Sequence, residues 1–170
     1  MKKILILSAF ILFIFTSCKK KNDVVPVNTI SATVDGAHLS FNTSVYAKFG
    51  GNSNSTLSIY GVTSSASDAQ TITIGVFSDK AIAIGTYTYP SITGSSGLTE
   101  YPFIVYSDKG PTASSSFLFV TDNTAANPTT VTITSINSTN IQGTFTCTLI
   151  RQIGGTKTIT NGKFNINISN

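Results

Sequence analysis

The chain has 170 residues, 41% of them hydrophobic and only 11% charged, while 22 Ser and 26 Thr supply about 28% of its length. Such a Ser/Thr-rich, Lys/Glu-poor chain fits one β-structured domain with a tail, and it excludes a helical bundle, a coiled coil and a charge-driven disordered segment. The net charge of +4 sits within the first 28 residues, and from Thr29 onward six basic and six acidic residues cancel, so no clustered Lys/Arg surface exists for nucleic acid.

The amino terminus opens with Met1-Lys2-Lys3 and the apolar run Ile4–Phe15, broken only by Ser8. Twelve helical residues span roughly 18 Å, well short of the ~30 Å hydrocarbon core, which is the length of a signal-peptide core and not of a membrane span. Phe15-Thr16-Ser17-Cys18 follows, with small residues directly before a cysteine. This resembles the lipobox of bacterial lipoproteins, which implies removal of residues 1–17 and a diacylglycerol thioether on Cys18. Phe15 is larger than the Leu or Val usual at that position. Two or three acyl chains, at about 0.8 kcal/mol per buried CH₂, would hold the chain at a membrane permanently. Cys147 would then have no disulfide partner.

Residues 18–28 read as a lipidated cysteine and flexible tether: three lysines (Lys19, Lys20, Lys21), then Asp23, Val24, Val25 and Pro26, without periodicity. The lysines would rest against anionic headgroups at about 1 kcal/mol each. A Lys and acidic residues soon after the cysteine resemble the surface-export signal of the Bacteroidota, and here only Asp23 supplies the acid. The expected location is the outer membrane, at its periplasmic face or at the cell surface.

From residue 29 to 170 no apolar stripe of helical period occurs. Short alternating runs predict strands at Thr29–Asp35, His38–Lys48, Ser55–Thr63, Gln70–Phe77, Gly85–Tyr89, Tyr101–Ser107, Ser115–Asp122, Thr129–Ile136, Ile141–Ile153 and Thr156–Ile168. Ten antiparallel strands without covering helices mean an all-β domain, a β-sandwich or alternatively a closed or partly open β-barrel.

The last strands allow a register to be written down. A two-residue turn at Gly154-Gly155 would set Phe145 opposite Phe164, Ile141 opposite Ile168 and Gly162 opposite Cys147. That choice sorts apolar from polar residues along both strands, whereas a turn at Asn161-Gly162 would leave strands of four or five residues. One strand earlier, Asn137 opposite Ile141 would place Ile133 against Phe145 and Val131 against Cys147. Cys147 then points inward, a buried thiol of raised pKa.

Few residues offer chemistry. His38 is the only histidine and falls by alternation with Ser40 and Asn42 on a polar face, the place of an exposed strand residue. No set of ligands for zinc is recognisable, no EF-hand spacing marks the Asp/Asn-rich stretch Asp122–Asn127, and neither a Gly-x-Ser-x-Gly elbow nor a phosphate-cradling glycine loop occurs. No cofactor and no metal is therefore expected. The carboxylates Asp35, Asp68, Asp79, Glu100, Asp108 and Asp122 stand mostly at turn positions, where Asp caps backbone donors. Glycosidase chemistry would need two of them about 5–10 Å apart. Tyr87, Tyr89 and Tyr101 are the candidate ligand-binding aromatics, beside the Ser/Gly-rich stretch Ser91–Glu100, although core packing is the simpler account of such tyrosines. Val76-Phe77-Ser78-Asp79-Lys80 and Val105-Tyr106-Ser107-Asp108-Lys109 are near copies, both read as strand ends entering a turn.

Ser31-Ala32-Thr33-Val34-Asp35-Gly36, Gly85-Thr86-Tyr87, Gly143-Thr144-Phe145 and Thr160-Asn161-Gly162-Lys163-Phe164 together resemble the uncharacterised Bacteroidota lipoproteins that carry one all-β domain of unknown function. Leu39 or Phe41 stands where that family often has a Trp. The resemblance implies a Gram-negative envelope setting and assigns no catalytic or binding residue. The expectation is a lipid-anchored, non-catalytic binding or structural module with a glycan or an envelope protein as partner. The alternative is a carbohydrate-active enzyme or glycan-binding protein using loop carboxylates and tyrosines.

Overall fold

The computed structural model describes residues 25–89, 100–111, 114–122 and 128–169. Eleven strands run in order: β1 (Thr29–Val34), β2 (Ala37–Phe41), β3 (Thr43–Gly50), β4 (Thr56–Val62), β5 (Thr71–Ser78), β6 (Gly85–Tyr89), β7 (Glu100–Ser107), β8 (Phe119–Thr121), β9 (Thr129–Ile136), β10 (Asn140–Arg151) and β11 (Thr156–Asn167). Among the described residues the helical pieces are two single turns, Asn52–Asn54 and Ser115–Phe117. The protein is all-β, one nearly closed antiparallel sheet of barrel-like form.

The order around the sheet is β2-β1-β11-β10-β8-β7-β5-β4-β3. Its two ends are successive pieces of one segment. β2 pairs with β1 and β3 with β4, and the chain passes between them through Asn42, so the sheet returns on itself. Alternation alone predicts a single strand over His38–Lys48. It breaks where Ser44 takes a positive φ of 50° and the register against β4 shifts between Thr43 and Tyr46. The far end is drawn in by Ser169, whose N–H donates to the Ala47 carbonyl at 2.8 Å. β10 is long enough to hold two partners on one edge, β9 along Ile141–Thr146 and β8 along Leu149–Arg151, and β6 continues the sheet beyond β9.

Inward-facing residues of these strands make one core. Ile30, Phe41, Ile59, Ile74, Ile104, Phe145 and Ile166 are fully enclosed. Burying side chains of this size contributes about 1.5–3 kcal/mol each, which offsets the conformational entropy lost in ordering the strands.

The β10–β11 hairpin differs from its sequence-based register. Phe145 lies opposite Gly162 and Phe164 opposite Gly143, where two facing phenylalanines were expected, and Ile141 meets Ile166 in place of Ile168. A Cβ at Gly143 would run into the Phe164 ring and one at Gly162 into the Phe145 ring. Each ring thus lies over the glycine across from it, and space decides the pairing. The turn is also longer: Gln152 and Ile153 leave the strand, and Gly154 and Gly155 close the loop at φ 92° and 109°, with Arg151 N–H bonded to the Gly155 carbonyl at 3.1 Å. The β9–β10 register likewise moves, to Ile136 opposite Ile141 and Val131 opposite Phe145. Here the Asn137 side chain accepts from the N–H groups of Thr139 and Asn140, both at 2.9 Å, and so selects a tighter turn.

Candidate functional site

An open groove of about 720 Å³ lies on the outer face of β1, β2 and β11. Two rows of paired residues cross its floor: Lys163–Ser31–Ser40 and Thr33–His38. Asn42 and Asn161 extend it, and Val25 and Pro26 form one wall. That wall is fixed by side chains of β11 and its own turn: Asn165 Nδ2 donates to the Val25 carbonyl at 2.8 Å, and Asn28 Oδ1 accepts the Asn167 N–H at 2.9 Å. Its volume falls in the range of small-molecule sites.

Asn161 enters the groove because of an insertion. Relative to β10 the pairs step from Phe145–Gly162 to Cys147–Ile159, and relative to β1 from Ser31–Lys163 to Thr33–Thr160. Both neighbours see β11 carry one extra residue. Asn161 takes the left-handed conformation at φ 52°, which Asn tolerates better than other side chains. The Asn-Gly pair that reads as a hairpin turn is therefore a bulge within a continuous strand. Among the described residues Lys163 makes no ion pair within 4.0 Å and is the only groove-lining side chain of fixed charge. His38 is exposed on this same face, with Ser40 and Asn42, as alternation predicts.

The three candidate tyrosines do not come together on one surface. Tyr87 is 8% exposed, packed in the core, and its hydroxyl both accepts from Ala83 N–H (3.0 Å) and donates to Ala83 carbonyl (3.1 Å). Tyr89 and Tyr101 are half-buried, their rings edge-on at 6.2 Å. Tyr101 stacks on Phe77 at 5.0 Å, and Phe77 on Phe103 at 5.4 Å. Phe103 lies over Gly75, where a Cβ would overlap its ring. These aromatics cap the outside of β5 and β7, on strands remote in sheet order from the groove.

Two carboxylates do converge, on Lys157 of β11. Its ammonium lies 3.2 Å from Asp35 and 3.9 Å from Asp108, and 5.1 Å and 5.8 Å from the ring centres of Phe119 and Tyr106. Asp35 forms the Asp-Gly hairpin turn between β1 and β2 at positive φ and also accepts the Thr158 N–H at 2.8 Å. Burial, then the charges of Asp108 and Asp35, push the Tyr106 phenol up to about 12. Cys147 is buried beside Phe145 and Leu149, and burial pushes its thiol up to about 12. It faces the interior while His38 faces out, so the two do not form a nucleophile–base pair. Among the described residues no three of His, Cys, Asp and Glu gather as metal ligands.

Cys18, most of Ser91–Glu100 and residues 123–127 lie outside the described residues. The sequence marks Asn161 and Lys163 only as part of a turn signal and a motif, and neither they nor Lys157 read from it as site residues. The signal for the first was an Asn-Gly dipeptide inside an otherwise unbroken alternation. Comparison with protein-family models, curated proteins and solved structures finds no match for this chain.

Proposed function

We propose that the chain is a lipid-anchored cell-envelope protein, held at the outer membrane through Cys18, whose domain is a non-catalytic binding module with the β1/β2/β11 groove as its ligand site. The observation that carries the reading is the groove itself: a hydroxyl- and amide-lined trough whose wall is the pinned end of the tether. The export and lipobox pattern of residues 1–18 supports the anchor, and the motif resemblance to Bacteroidota lipoproteins supports the envelope setting. Its partner is a glycan or an envelope protein.

The Asp35/Asp108 pair is the specific observation on the side of a carbohydrate-active enzyme. Lys157 weighs against it. Its ammonium occupies the space between the two carboxylates, where an inverting or retaining mechanism places the sugar, and both Asp35 oxygens already accept hydrogen bonds.

Replacing Cys18 by Ser tests the anchor. The variant precursor is expected to take up no labelled fatty acid and to leave the membrane fraction. Undiminished membrane retention contradicts the anchor and leaves the groove reading to be judged on ligand binding.

A further inference from the structure

We infer that the groove's ligand is an acidic saccharide presented at the membrane surface, held by Lys163 and oriented by Asn161. This rests on the reading of the groove as the binding site and of Cys18 as the anchor.

Chemistry gives the ligand class. Ser31, Thr33, Ser40 and Asn42 line the floor with short donors and acceptors suited to ring hydroxyls, and among the described residues no carboxylate lines the groove. Lys163 stands among them with no acidic partner among the described residues. A cation on an otherwise neutral polar floor discriminates for a ligand with one negative group, a carboxylate or phosphate, set among hydroxyls. The domain as a whole, Lys163 included, is charge-balanced, so this selectivity is local and not a long-range attraction.

The backbone points to the same place. A non-glycine residue at positive φ inside a twelve-residue strand is kept there by the surrounding pairs on both edges. What the insertion accomplishes is to bring a free carboxamide into the groove two residues from Lys163. Neither side chain makes a hydrogen bond among the described residues.

Chain length gives the location. Six residues separate Cys18 from Val25, the groove's wall. A fully extended chain covers at most ~3.6 Å per residue, so the groove stays within about 25 Å of the lipid anchor. Only saccharides at that depth reach it, either a polysaccharide lying on the membrane or the phosphorylated headgroup of a glycolipid.

The test is binding of defined probes to the mature lipidated chain in detergent: trigalacturonate, the matching neutral trigalactose, and a deacylated glucosamine disaccharide bisphosphate. At least one acidic probe is expected to bind tenfold or more tighter than trigalactose. Lys163→Gln should remove that preference, and Asn161→Gly, which keeps the backbone conformation while deleting the carboxamide, should weaken binding about tenfold. Trigalacturonate preferred marks a polysaccharide source, and the bisphosphate preferred marks a glycolipid headgroup. Trigalactose binding as tightly as both acidic probes, yet weakened by Asn161→Gly, would overturn the acidic ligand and leave the groove standing as a site. Acidic binding unchanged in both variants would overturn the groove as well.

Discussion

Val76–Lys80 and Val105–Lys109 are nearly the same five residues, and the protein uses them in opposite ways. The turns are alike: Ser78 Oγ accepts the Lys80 N–H and Ser107 Oγ accepts the Lys109 N–H, both at 3.1 Å. The facings are reversed. In the first copy Val76 is buried and Phe77 is 38% exposed, whereas in the second Val105 is half-buried and Tyr106 is 2% exposed. β5 and β7 are neighbours whose paired residues share a face, Ile74 with Ile104 and Val76 with Pro102. An offset of 29 residues is odd, so it carries one copy to the other side of the sheet. Local sequence specifies the turn, and the register of the whole sheet specifies what the aromatic does: Phe77 joins the outer stack with Tyr101, while Tyr106 packs inside beside Lys157 and Phe119.

The contrast is broken or sharpened most strongly by truncating the two rings. Tyr106→Ala is expected to cost about 3–5 kcal/mol, the range for emptying a buried aromatic site, and Phe77→Ala no more than about 1 kcal/mol, chiefly its ring contacts. Denaturant melts read both, and similar losses would mean the two copies are not on opposite faces. Next in size is Lys157→Ala, expected to cost about 1–2 kcal/mol from its ring contacts and a partly exposed ion pair. Among the described residues no cation lies over Phe77, and Lys80→Ala should leave the midpoint unchanged.

Alkaline pH separates the copies without a large truncation. The folded pKa of Tyr106, about 12, lies above the value of about 10 for an unfolded tyrosine, so the folded state holds its proton longer. The stabilisation is complete below pH 10 and is lost as pH rises toward 12. Cys147 contributes in the same direction over the same upper range. Stability measured against pH should therefore fall less steeply in Tyr106→Phe than in the natural chain; parallel curves would contradict the buried phenol. The smallest effects belong to the shared turns. Ser78→Ala and Ser107→Ala should each lose about 0.5–1.5 kcal/mol; both hydroxyls also donate, Ser78 to the Glu100 carboxylate and Ser107 to the Gly110 carbonyl, and the Ser107 loss is the larger because its hydroxyl is buried.

The same logic explains how far the sequence could be read. Alternation located nearly every strand, including Gly85–Tyr89 and Thr129–Ile136 with their bounds, because period two is a property of each segment alone. It placed Cys147 inside and His38 outside for the same reason. It could not see that Phe145 pairs with Gly162, since sliding a strand by two residues leaves every face unchanged and only ring volume distinguishes the registers. Closure through the bend at Asn42 and the convergence of Asp35, Asp108 and Lys157 depend on which strands become neighbours, and no single segment records that. The groove lies between these cases. Its polar residues were legible as an outward face, but its wall and the inserted Asn161 required the fold.

Two outer surfaces now compete for function, the polar groove on β1, β2 and β11 and the aromatic stack on β5 and β7. Hydrogen exchange of the lipidated chain in detergent, with and without acidic saccharide, decides between them directly. The groove account predicts added protection at Ser31–Thr33, His38–Asn42 and Asn161–Lys163 with the saccharide recovered intact. Protection confined to Phe77 and Tyr101–Phe103, or recovery of a cleaved saccharide, would contradict it.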